Sequence, residues 1–192
     1  MNIIKRYFTL TFISLFISLI PAAGECLDIL SLEPGMSREA VEEMLREESI
    51  RSTGYGKDAL LLTIPVVPDI IERQRSLLEF DSKGLLSSVD IQIIPERDST
   101  GLHVMSLYDT VRDWMISRLG TPAWQRIEGR AVPEELLEAI SRGKVYRLLQ
   151  WENTYAIRLG IPRRASGDVL IEILIAPKML PKGSKFWGRK RF

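Results

Sequence analysis

Residues 76–94, "SLLEFDSKGLLSSVDIQII", decide the fold class. Val89, Ile91 and Ile93 alternate with Asp90 and Gln92, the period of two that marks a strand with one buried face. The two apolar runs are separated by Asp81-Ser82-Lys83-Gly84, a turn with glycine where a left-handed residue is wanted. The stretch therefore reads as an antiparallel hairpin, and its apolar face needs a cover from elsewhere in the chain.

Upstream, residues 32–45, "LEPGMSREAVEEML", supply one. Ser37 is placed to cap a helix running from Arg38 to about residue 48, with Glu39 and Glu42 near the positive end of its dipole. Met36, just before the cap, can pack on Val41 as a hydrophobic staple. Ala40, Val41, Met44 and Leu45 share one face, while Glu39, Glu43, Arg46 and Glu47 lie off it, so the acids read as a solvated face. Between helix and hairpin, "ALLLTI" closed by Pro65 reads as a short strand. Gly54, Gly56 and Lys57 in "TGYGKDALL" lack a preceding strand and the Walker spacing, so this piece reads as a turn into that strand.

Downstream the pattern restarts. In residues 105–122, "MSLYDTVRDWMISRLGTP", Ser106 and Asp109 have capping-box spacing and Leu107, Val111, Trp114, Met115 and Leu119 recur at helical intervals until Gly120 and Pro122. "VPEELLEAISRG" reads as a short third helix between Pro133 and Gly143. "KVYRLLQW", "TYAIRLGI" and "DVLIEILIA" follow as strands, the first two joined as a tight hairpin across Glu152 and Asn153. The last, apolar on both faces, is predicted to be central. Trp114 is expected in the core; Trp124 and Trp151 flank strands and suit core or rim.

Both halves thus run helix, strand and then a hairpin ending at proline, "GLLSSVDIQIIP" and "GDVLIEILIAP". The expected fold is α+β: a two-layer sandwich with helices on one face of an antiparallel sheet, in two related halves spanning residues 25–97 and 98–177. Ahead of them, Lys5 and Arg6, an apolar run and the small residues Ala22, Ala23 and Gly24 have the layout of a signal peptide over residues 1–24. The mature protein is expected in the periplasm or secreted. Glu25 stands where a lipobox wants a small residue, so lipid anchoring at Cys26 is not expected.

The "LEPGMSREAVEEML" opening resembles the Pro-Gly-Met-Ser/Thr-x-x-x-Val helix start of the small accessory lipoprotein of the outer-membrane β-barrel assembly machine and its relatives. "RLGTPAW" is similar to the Leu-Gly-x-Pro that closes the helical part of that unit. Here the two motifs fall in different halves, and two such units in tandem resemble the β-lactamase-inhibitor-protein architecture. The resemblance implies helices packed on an antiparallel sheet, and a role in envelope assembly or protein binding.

Several chemistries are poorly served. One cysteine makes no intramolecular disulfide, and with a single histidine it makes no structural zinc site, although a carboxylate metal site stays open. His103 has no Gly-x-Ser-x-Gly elbow to work with and reads as a helix-start residue. No enzyme activity, cofactor or metal is expected. Charge divides unevenly: residues 25–177 hold 18 basic and 25 acidic residues, and residues 178–192 hold six basic residues and no acid. Lys182, Lys185, Phe186, Trp187, Arg189, Lys190 and Arg191 are therefore candidate contacts for an anionic membrane surface; nucleic acid ranks below it as a partner. The expected function is an exported, non-enzymatic interaction module with a protein partner in the envelope, the alternative being an anionic lipid or wall binder acting through this tail.

Overall fold

The computed structural model describes residues 29–96, 100–152, 154–162 and 168–178. Residues 1–24, expected to be a signal peptide, Cys26 and the candidate tail residues Lys182, Lys185, Phe186, Trp187, Arg189, Lys190 and Arg191 lie outside the described residues. The fold is α+β. After a short 3₁₀ turn come α1 (Arg38–Glu47), β1 (Ser52–Gly54), β2 (Ala59–Leu62), β3 (Arg73–Phe80) and β4 (Leu86–Ile94). Then follow α2 (Gly101–Leu119), β5 (Trp124–Glu128), α3 (Leu136–Ser141), β6 (Tyr146–Glu152), β7 (Ala156–Gly160) and β8 (Ile171–Ala176). Among the described residues, the eight strands form one antiparallel sheet in the order β1-β2-β3-β4-β8-β7-β6-β5.

Each half is a helix followed by four sequentially adjacent strands, with α3 inserted between β5 and β6 in the second, and the halves join through their last strands. Their register has a symmetry of its own. Val89 pairs with Ile175, Ile91 with Ile173 and Ile93 with Ile171. When the sequences are aligned on Pro95 and Pro177, Ile91 and Ile173 are equivalent residues, and so are Val89 with Ile171 and Ile93 with Ile175. A pseudo-two-fold axis thus passes beside the Ile91–Ile173 pair, and all six side chains sit in the core at 0–2 % exposure.

The helices cover one face only. Val41 and Leu45 of α1 and Val104, Tyr108, Val111 and Met115 of α2 belong to the same buried cluster as the β4 and β8 isoleucines. Burying a Val or Ile side chain contributes roughly 1.5–3 kcal/mol, so this continuous layer is the main source of stability. The other face carries polar ladders. Arg75 Nε donates to Gln92 Oε1 at 2.8 Å and Gln92 Nε2 to Asp90 Oδ2 at 2.7 Å. Across the sheet, Arg158 Nε donates to Gln150 Oε1 at 2.7 Å and Gln150 Nε2 to Glu152 Oε1 at 2.6 Å. A dry face and a hydrogen-bonded face are the usual division of an antiparallel sheet covered on one side.

The elaborate start of α1 has a local explanation. Ser37 Oγ accepts from the Ala40 N–H at 3.2 Å, as the capping pattern predicts. The segment before it also acts as a strand fragment: Gly35 N–H donates to Leu86 O and Leu86 N–H to Met36 O, both at 2.7 Å, and Ser37 bridges Leu85. Gly35, at φ 99°, turns the chain for this pairing. The one segment therefore caps α1 and ties it to the start of β4.

Three sequence expectations need correction. Helix α2 begins at Gly101, capped by Thr100, whose Oγ1 accepts from His103 N–H at 3.2 Å; Ser106 lies inside the helix. The burial of Val104 extends the apolar face one turn upstream of the capping-box spacing and favours the earlier start. Each half has four strands where three were expected, because β1 and β5 were not anticipated. Glu152 pairs directly with Ala156, so the β6–β7 connection lies beyond Glu152.

Candidate protein-binding edge and groove

The two ends of the sheet are unlike. β1 is three residues, Ser-Thr-Gly, a short polar edge of the kind that discourages further pairing. β5 is five residues, Trp-Gln-Arg-Ile-Glu, and every one is exposed. Trp124 and Ile127 are 46 % and 59 % exposed. They fall on opposite faces of the strand, since residues of odd spacing point to opposite sides. The edge exposes an apolar residue on each face and has no proline, and its two charges, Arg126 and Glu128, are opposite in sign and paired with each other.

The hydrogen-bonding direction of this edge follows from its neighbours. Ile161 N–H donates to Arg147 O at 3.2 Å, so Arg147 is turned toward β7. Ile127 is the register partner of Arg147 on the other side. Antiparallel residues bond to alternate sides, so the N–H and C=O of Ile127 face away from β6.

Beside the edge, on the helix side, a groove of about 620 Å³ lies between α2 and β5–β6. On the helix side Ile116 and Ile127, two of the large exposed apolar side chains, line it; Trp124 borders it at the start of β5, its side chain falling on the opposite face. The deeper wall of the groove includes Tyr108, Arg112 and Arg147. Tyr108 is 2 % exposed and, among the described residues, its hydroxyl has no hydrogen-bond partner. Burial pushes its ionisation well above the ordinary phenol range, against the pull of Arg112 and Arg147, so it stays neutral and able to donate. Leaving a buried hydroxyl unpaired costs roughly 1–3 kcal/mol.

Sequence signals position this site. Gly120, at φ 75°, stops α2. The Trp151 indole N–H donates to Gly120 O at 2.8 Å and fixes the helix end against β6. Thr121 and Pro122 then lead into β5. At its far end stands Gly129, at φ 77°, where an added Cβ would lie 1.8 Å from Lys144 O, so only glycine fits. Arg147 Nη1 donates to Glu128 O at 3.0 Å and secures the same corner.

His103 lies in the first turn of α2, with Nε2 2.8 Å from Glu72 Oε1. Among the described residues no group of three His, Cys, Asp or Glu side chains could hold a metal ion. Gly54, Gly56 and Lys57 lie at and beyond the end of β1, in its turn into β2. Among the described residues no helix is long and apolar enough to cross a membrane. Trp114 is half-buried against the core with the Arg118 guanidinium 5.5 Å from its ring, Trp151 is core and Trp124 is rim. Sequence reasoning missed β5. The signal present was five residues with an apolar side chain on each face, which matches neither the strand nor the helix period.

The fold and this site define an α+β protein with a single antiparallel sheet among the described residues and an exposed edge strand, β5, that is apolar on both faces. No family model, curated protein or solved structure matches the chain.

Proposed function

We propose that the chain is an exported, non-enzymatic protein of the cell envelope that acts as a protein–protein interaction module, with the β5 edge and its adjoining groove as the contact surface. The observation that carries this reading is the exposure of Trp124 and Ile127 on a strand whose outer backbone groups face away from the sheet. Strand addition to such an edge draws affinity from main-chain hydrogen bonds and specificity from neighbouring pockets. The groove supplies an apolar lining beside the edge, with Ile116 and Ile127 at the surface, for a side chain of the partner. The layout of residues 1–24 favours export to the periplasm or beyond, and the resemblance at the α1 opening favours a role in envelope assembly.

The test is affinity capture from envelope extract with wild type, Ile127→Lys and Trp124→Ala, each checked for unchanged circular dichroism and melting. A protein retained by wild type and lost by both variants is expected. Retention indifferent to both substitutions would place the contact elsewhere and sink the reading. A second reading rests on composition: six cations and three aromatic residues within residues 178–192, with no acid, suit an anionic lipid or wall surface.

A further inference from the structure

We propose that the partner of the β5 edge is a second copy of this chain, the two β5 strands pairing antiparallel about a two-fold axis at Ile127. This rests on the reading of that edge as a protein-binding surface and names its occupant.

Backbone polarity restricts the register first. Ile127 faces outward, so a two-fold axis centred on it lets the two Ile127 residues exchange both N–H···O bonds with each other. Side-chain charge then selects among registers. In the pairing centred on Ile127, Arg126 of each copy lies opposite Glu128 of the other. Centring on Gln125, the other outward-facing residue of β5, would instead set Arg126 against Trp124 and leave Glu128 without an opposite charge across the strands. Within one copy Arg126 Nε already lies 2.6 Å from Glu128 Oε1, both side chains exposed on the helix-free face. Two copies would form a four-charge cluster in which every neighbour is of opposite sign. On the helix side the two Ile127 side chains would meet, covering the apolar residue that is 59 % exposed and joining the apolar mouths of the two grooves. The surface is self-complementary, as an isologous interface must be.

The test uses sedimentation velocity of the full mature chain across a concentration series, for wild type, Arg126→Glu, Glu128→Arg, the double exchange and an equimolar mixture of the two single variants. Each single variant turns both cross-strand pairs repulsive, so self-association should weaken about tenfold or more. The double exchange restores opposite charges within a homodimer, and the mixture restores them between the two unlike chains. Recovery in both samples is therefore expected, and a merely structural loss could not produce it. Single variants that associate as wild type does, or no recovery in the mixture, would overturn the proposed register. A monomeric wild type that still captures an envelope protein through Trp124 and Ile127 would overturn self-pairing alone. A monomer that captures nothing would overturn self-pairing and the interface reading together.

Discussion

Replacing Gln74 by leucine should destabilise this protein as much as truncating a core residue would, although almost no volume is lost. Gln74 lies on the core face of β3 at 4 % exposure. Its Oε1 accepts from the N–H groups of Val66 and Val67, both at 2.8 Å, and its Nε2 donates to Val67 O at 2.9 Å. The amide thus takes the place of a strand neighbour for a loop that has none, and it holds Val66, Val67 and Ile70 in the core. Leucine would remove the Gln74 hydrogen bonds to three buried backbone groups. At roughly 1–3 kcal/mol each, and with some relief as the loop shifts toward water, the expected loss is about 3–5 kcal/mol. That is a large share of a typical domain stability of about 5–15 kcal/mol. Urea unfolding followed by tryptophan fluorescence measures it, with hydrogen exchange expected to rise first at the Val66 and Val67 amides. The control is Leu78→Met on the same strand, which keeps volume and should cost less than about 1.5 kcal/mol. A loss below about 1 kcal/mol for Gln74→Leu would mean that the amide does not hold the loop, and the hydrogen-bond argument would fail.

Ile91→Ala and Ile173→Ala, made at equivalent positions beside the pseudo-two-fold axis, should each cost about 2–5 kcal/mol in urea unfolding, and a silent result at either would contradict the symmetric central layer. Asp81 is held below its ordinary value of 3.8 by the backbone N–H groups of Leu85 and then Lys83. A depressed carboxyl adds stability that is present above its unfolded value and lost as pH falls through its folded value. The stability difference between wild type and Asp81→Asn should therefore be constant above about pH 5 and shrink toward acid, and a difference that grows on acidification would reverse the assignment. Full-length protein should sediment with anionic vesicles more than a form ending at Pro177 does, with the difference abolished by salt; equal binding by both forms would leave the basic tail without a recognition role.

The local parts of this fold were legible because their signals are local. Ser37, Met36 and the Val41–Leu45 stripe announce α1, and Asp81 to Gly84 announces the turn between two alternating strands. The alignment of Pro95 with Pro177 even marked Ile91 and Ile173 as equivalent, but nothing in it showed that they would pair with each other. That pairing joins residues more than half a domain apart in sequence, and it is set by how the two apolar layers close over one core. The start of α2 was misjudged because Ser106 and Asp109 offer the same spacing as a true cap, and the burial of Val104 decided for Thr100. The candidate site was the least legible part. Trp124 and Ile127 are apolar on opposite faces of a strand with no buried side, so no hydrophobic period exists to find. The groove beside them arises only when the end of α2, fixed by Trp151, is brought next to β6.

The most direct measurement of the central claim is site-specific photo-crosslinking in living cells. A photoreactive residue would stand at Gln125 on the β5 edge or, as the control, at Thr53 on the short β1 edge. The account predicts a discrete protein adduct from position 125 that disappears with Ile127→Lys, and none from position 53. Equal adducts from both edges, or none from position 125 in cells that produce the folded protein, would contradict it.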